Sequence, residues 1–149
     1  MALLLGIDLG TSYFKVGLFD AAGALKGLGR VAVDPLSPAP GRFELPVDAF
    51  WDRLRRGLAE ALSQTGATVN EITGVSYSSQ ANSFVLLDVR DVPLTPLVLW
   101  TDRRGEPVDD AMARFAETEA FRRTVGFEGI AGGFAVAKWR WFRENQPGL

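Results

Sequence analysis

The sequence predicts an α/β domain with a mixed sheet and flanking helices, and three features carry that prediction. Ala2 to Ile7 is almost wholly apolar and ends in Asp8 followed by the turn formers Leu9-Gly10-Thr11-Ser12, the mark of a strand buried on both faces. Tyr13 to Asp20 then alternates, with Phe14, Val16 and Leu18 on one face and Lys15 and Gly17 on the other. An amphipathic helix follows, and after it a further strand-like run.

Taken in order, Asp20-Ala21-Ala22-Gly23 reads as a turn and Leu25 to Val33 as a third strand, which makes the opening an antiparallel meander. Residues 34–46 carry Pro35, Pro38, Pro40, Gly41 and Pro46 and form an irregular connection. Val47, Trp51, Leu54, Leu58, Ala61 and Leu62 lie on one helical stripe that Gly66 stops. Ile72 to Ser78 is a fourth strand, returned parallel to an earlier one through a right-handed crossover. Ser83 to Leu87 and Leu97 to Trp100 read as a hairpin around Asp88-Val89-Arg90-Asp91, with Pro93 and Pro96 confining its second arm to an edge. The tail reads as helices over Arg104 to Glu117, a short one opened by Thr118, and Gly133 to Asn145. Trp51, Trp139, Trp141 and Phe142 fall at helical spacing and are expected to pack.

The 149 residues, 47% apolar and 23% charged, suffice for one core but not two. A net charge of -2 gives no footprint for nucleic acid or an anionic membrane. With no cysteine and no histidine, disulfides, thiolate chemistry, structural zinc and imidazole bases are excluded. Chemistry here falls to carboxylates, hydroxyls, amides, lysine or arginine. The longest apolar run is too short to span a bilayer, so a cytoplasmic protein is expected, and homodimerisation is left open.

A carboxylate on an apolar strand is costly to bury alone, yet at the strand's carboxyl end Asp8 stands where open α/β sheets place ligands. Gly10 lets backbone approach a ligand, the amides of Gly10 to Ser12 can form an anion nest, and Thr11, Ser12 and Lys15 add donors and charge. Such a set can hold Mg²⁺ between Asp8 and phosphate oxygens. A tight hairpin in which Asp8 caps its own turn accounts for the same motif equally well.

Gly6-Ile7-Asp8-Leu9-Gly10-Thr11-Ser12, with Val16-Gly17-Leu18-Phe19-Asp20 behind it, resembles the first phosphate motif of the superfamily of actin, the Hsp70 chaperones and the sugar kinases. Gly74-Val75-Ser76 to Gln80 before Phe84 to Asp88, and Leu99-Trp100-Thr101-Asp102-Arg103-Arg104, are similar to segments of the FGGY carbohydrate kinases within it. Gly41-Arg42-Phe43-Glu44 leading to Trp51, and Lys138 through Trp141 to Glu144-Asn145-Gln146-Pro147, resemble further landmarks of that family.

The resemblance implies a ribonuclease H-like (actin-like ATPase) mixed sheet. It implies ATP and Mg²⁺ as cofactors, held by Asp8, Gly10, Thr11, Ser12 and Lys15, with Asp8 organising the metal. It implies a sugar or polyol site at Gln80, Ala81, Asn82, Trp100, Asp102 and Arg103. Ala81-Asn82 departs from the pairs of the xylulose and glycerol kinases, which opens the substrate question. Gln80 and Asn82 serving loop backbone, Trp100 in a core, and Asp102 as the N-cap of the next helix are equally open readings.

The family's catalytic base is an aspartate expected beyond Leu149, and its adenosine site belongs to a second domain. Residues 1–149 are therefore expected to be an incomplete domain, the N-terminal part of an ATP-dependent kinase for a sugar or polyol, a ketose such as xylulose foremost, inactive without the remainder. The competing classes are a non-kinase actin- or Hsp70-like ATPase, a non-catalytic sugar-binding module, and a nuclease using Asp8, Glu44 and Asp102 as metal ligands.

Overall fold

The computed structural model describes residues 2–149, which divide into two compact units, one of residues 2–35 and 45–81 and the other of residues 36–44 and 82–149. The first unit is a four-stranded mixed sheet in the order β3-β2-β1-β5, formed by β1 (Leu3–Leu9), β2 (Tyr13–Phe19), β3 (Leu25–Ala32) and β5 (Ile72–Ser79). As the sequence predicts, β1, β2 and β3 are an antiparallel meander, and β5 returns parallel to β1.

Helix α1 (Val47–Ser63) covers one face of this sheet. Leu3, Leu5, Val16, Leu18 and Ala61 form the buried cluster, with Ile7, Leu54, Leu58 and Leu62 packed around it. The approach is unusually close because β3 presents Gly27 and Gly29 to the helix. A Cβ at Gly29 would run into the carbonyl oxygen of Gly57, and one at Gly27 into that of Ala61. Phe14 is fully buried and meets Phe50 edge to face at 5.1 Å. Trp51, expected to pack, is instead about half exposed, because it falls on the outer flank of the helix stripe.

The second unit holds the short strand β6 (Leu97–Val98), which shares a two-stranded sheet with β4 (Glu44–Leu45), and three helices, α2 (Asp110–Ala116), α3 (Glu119–Val125) and α4 (Ala135–Asn145). Here two expectations give way. The hairpin over residues 83–100 reduces to isolated bridges, Phe84 to Val98 and Leu87 to Pro93, because two prolines deny the second arm its ladder. The helix expected from Arg104 starts only at Asp110, since Gly105 and Pro107 hold the preceding residues out of helical geometry. Its N-cap is Asp109, whose carboxylate accepts from the Met112 N–H at 2.8 Å, not Asp102. Thr118 caps α3 as expected. Among the described residues no helix is long and apolar enough to cross a membrane.

Candidate functional site

In the first unit, β1 delivers Asp8 to the carboxyl end of its run on the face opposite α1. Register pairs Asp8 with Lys15 on β2, and the Lys15 ammonium donates to the Asp8 carboxylate at 2.8 Å. Both side chains are about half exposed, 48% for Asp8 and 49% for Lys15. The pair is thus a surface contact open to a ligand, not a buried structural bridge. At the bend, a Cβ on Gly10 would meet the carbonyl oxygen of Tyr13 at 2.8 Å, so a side chain is sterically excluded there. The Thr11 hydroxyl donates to the Gln80 side-chain oxygen at 3.4 Å, and the Gln80 N–H donates to the Leu9 carbonyl at 3.3 Å. Ser12 is exposed.

A groove of about 350 Å³ runs along this face, lined by Gly6, Asp8, Lys15, Gly17, Ser76 and Ser78 among others. Its donor set fits a metal-bound polyphosphate: one carboxylate, one ammonium, hydroxyls, and glycines that leave room. Among the described residues no three acidic side chains gather around a metal position. A magnesium ion at Asp8 would therefore take its other ligands from phosphate oxygens and water, as this cation commonly does.

Of the residues expected on the sugar side, Gln80 and the exposed Ala81 belong to the first unit, where Gln80 is tied to the Asp8 bend. Asn82, Trp100, Asp102 and Arg103 belong to the second. There a cavity of about 550 Å³ is lined by Phe43, Asn82, Trp100, Arg103, Glu106 and Phe134, with Thr101, Ala131 and Gly133 completing it. Trp100 is 46% exposed and so forms a wall, not a core. Its backbone N–H donates to the Ser83 hydroxyl at 2.9 Å. Asn82 adopts a left-handed φ of 61°, which asparagine tolerates better than most residues, and its side-chain oxygen accepts from the Ala135 N–H at 3.2 Å at the start of α4.

Asp102 is placed behind this wall. It is fully buried, and its carboxylate accepts from the Phe43 N–H at 2.8 Å, the Arg104 N–H at 3.0 Å, and the Arg104 guanidinium at 2.8 and 2.9 Å. Burial alone would raise its pKa, but the hydrogen bonds from Arg104 and Phe43 outweigh this and hold the carboxyl below the usual range. The hydroxyl contact expected of Asp102 is thus replaced by a tie to Arg104, which also binds Glu44. Glu44 and Asp102 are consumed by the same arginine, so the nuclease reading loses two of its three ligands.

Residue type and spacing did not single out Phe43, Thr101, Glu106 or Phe134 as cavity residues. Nor did they single out Lys138, whose ammonium is fully buried and donates to the Leu99 carbonyl at 2.7 Å and the Asn82 carbonyl at 3.1 Å. It thereby fixes the backbone beside two cavity residues. Burial pushes this lysine down to about 8, with Asp102 opposing the shift and Arg104 adding to it. A signal existed: Lys138 sits one helical turn from both Phe134 and Phe142, a lone cation in an apolar stripe.

The meander with a parallel fourth strand, and an acid at the carboxyl end of β1, define the mixed sheet of the ribonuclease H-like, actin-like ATPases. The chain belongs to the FGGY family of carbohydrate kinases, whose N-terminal domain matches residues 3–149. It is 32% identical over 146 residues to a xylulose kinase of Streptomyces coelicolor, covering 97% of this chain and 29% of that protein. It is 30% identical over 145 residues to the L-xylulose/3-keto-L-gulonate kinase of Escherichia coli, covering 96% of this chain and 28% of that one. The solved structure of a Brucella ovis kinase, described as a xyloylose kinase, superposes with a TM-score of 0.85 at 29% identity, over 98% of this chain and 30% of that one. The xylulose kinase of Rhodospirillum rubrum gives 0.80 at 26% identity, over 98% and 30%. The chain thus spans less than a third of the length of these relatives.

Proposed function

We propose that this chain supplies the phosphate-binding groove and part of the sugar site of an ATP-dependent carbohydrate kinase. The acceptor is a ketose such as xylulose, the substrate class for which the Streptomyces coelicolor and Escherichia coli relatives are named. The observation that carries the reading is the half-exposed Asp8–Lys15 pair beside the bare Gly10 bend.

In this reading Asp8 holds the metal and Lys15 turns from its carboxylate partner towards phosphate oxygens. Thr11, held by Gln80, orients its hydroxyl at the bend. Bound magnesium supplies neutralisation of charge on the transferring phosphoryl group. In the second unit Trp100 and Phe134 offer apolar faces to sugar carbons, while Asn82 and Arg103 offer donors to hydroxyls. Lys138 and the Asp102–Arg104 pair keep that wall in place. The base that deprotonates the acceptor, and the adenosine site, are assigned to sequence outside these residues, so 1–149 alone is inactive. Phosphoryl transfer depends on positioning both substrates and closing water out, which part of a site does not achieve.

A coupled ADP-release assay with D-xylulose tests this. Residues 1–149 alone are expected to give no sugar-dependent ADP, and the longer protein to give turnover that Asp8→Asn lowers by at least about 100-fold. Turnover by 1–149 alone overturns the division of labour. Turnover in the longer protein that is indifferent to Asp8→Asn overturns the site.

A further inference from the structure

Register sets four polar side chains in a row across the first unit's sheet. Ser78 on β5 stands beside Asp8 on β1, Asp8 beside Lys15 on β2, and Lys15 beside Arg30 on β3. Directly paired residues project to the same face, so hydroxyl, carboxylate, ammonium and guanidinium follow one another at the strand spacing of about 4.8 Å. The row crosses the groove at Ser78, Asp8 and Lys15 and leaves it at Arg30, two residues along β3 from the groove residue Leu28.

Arg30 is held by an aromatic ring, as Arg42 is by Trp141 at 4.6 Å, and not by a carboxylate. Arg56, Arg90, Arg103, Arg104, Arg123 and Arg140 each meet a carboxylate. The Arg30 guanidinium meets none among the described residues; it stacks on the Tyr13 ring, 3.7 Å from its centroid, on an exposed strand. Stacking removes rotamer freedom while leaving the guanidinium edge and its donors open. An exposed cation restricted in this way, next along the row from the lysine paired with Asp8 and with the Glu60 carboxylate at its own backbone N–H, is suited to contact a further anion.

We propose that Arg30, held by Tyr13, is a second cationic contact for the polyphosphate of a nucleoside triphosphate whose metal-bound end lies at Asp8. The proposal rests on the nucleotide reading of Asp8 and adds a direction to it. The phosphate chain leaves Asp8 across β2 toward β3, along which Lys15 and Arg30 stand in turn, and not toward β5, where the row offers only the Ser78 hydroxyl. Guanidinium suits this role because its planar fork pairs two phosphate oxygens at once.

Calorimetry of the 149-residue chain with Mg²⁺ and inorganic tripolyphosphate tests it, each variant's fold being checked by thermal unfolding. Arg30→Gln should weaken binding about fivefold, and Arg30→Lys by less, since lysine keeps the charge and loses the flat stack. Arg123→Gln removes the same charge from exposed α3 and should change nothing. If Arg30→Gln binds as tightly as the parent while Asp8→Asn weakens binding, Arg30 is no contact and the nucleotide reading stands. Equal losses in Arg30→Gln and Arg123→Gln also overturn the proposal, reducing it to general charge attraction. If the parent chain fails to bind, or Asp8→Asn binds as well as the parent, the nucleotide reading falls and takes the proposal with it.

Discussion

The two units hold themselves together by different means. The first is a sheet and helix with an apolar core, Leu3, Leu5, Val16 and Leu18 under α1, with Gly27 and Gly29 letting the helix close and Arg53, Glu60 and the C-cap Gln64 of α1 bonding the β3 backbone. On the face opposite α1, Asp8 and Lys15 pair half in solvent. The second is mostly loop, and buried charge ties it. Arg104 joins Asp102 and Glu44, while Lys138 joins the Leu99 and Asn82 carbonyls. Within the sheet the ladder satisfies the backbone and leaves Asp8 and Lys15 exposed, whereas at the β3 edge and through the second unit polar side chains hold the chain.

That contrast can be broken from either side, most forcibly through the buried ions. Arg104→Met should cost about 4 kcal/mol, because it leaves the Asp102 carboxylate buried without its partner. Hydrogen exchange by mass spectrometry should show the loss over 82–106, with the first unit's sheet protected. In the first unit, Gly29→Ala should cost about 3 kcal/mol by forcing α1 off β3, and urea unfolding would read it.

The pH dependence of Lys138 comes next in size. Its folded pKa of about 8 lies below the value of the unfolded chain. Below pH 8 both states hold the proton and the cost of the buried charge is fully present. As pH rises from 8 toward 10, only the unfolded chain keeps the proton, so the native protein gains stability relative to Lys138→Met. The gain should reach about 2 kcal/mol between pH 7 and 9.5 in paired urea titrations. A flat difference would show that the amine is solvated. Smallest of all, Asp8→Asn should alter folding stability by less than about 0.5 kcal/mol, which thermal unfolding would check, because its pair is exposed. A larger loss would make Asp8 a structural residue.

The same contrast explains what was legible in the sequence. Period-two alternation in Tyr13 to Asp20 and the helical stripe from Val47 to Leu62 report burial directly, so the meander, α1 and the parallel β5 could be read in order. Asp8 and Lys15 could be read too, because a short hairpin brings residues seven apart into register. The second unit depends on partners such as Glu44 with Arg104 and Leu99 with Lys138, separated by 60 and 39 residues, and no local period announces them. Asp102 illustrates the limit: a position suited to capping a helix or touching a sugar turned out to be the anchor of an arginine. Trp100 shows the reverse, an aromatic expected at a sugar site, with a core as the alternative, that stands at a cavity wall.

The glycine approach of α1 to β3 has a mechanical consequence. A helix resting on carbonyl oxygens and bare α-carbons is already at its stop, so it cannot slide inward when a side chain beneath the neighbouring strand is shortened. Removing the bulk of Leu18 would leave a dry void with rigid walls, of the kind that admits xenon, where a helix seated on side chains would have settled to fill it.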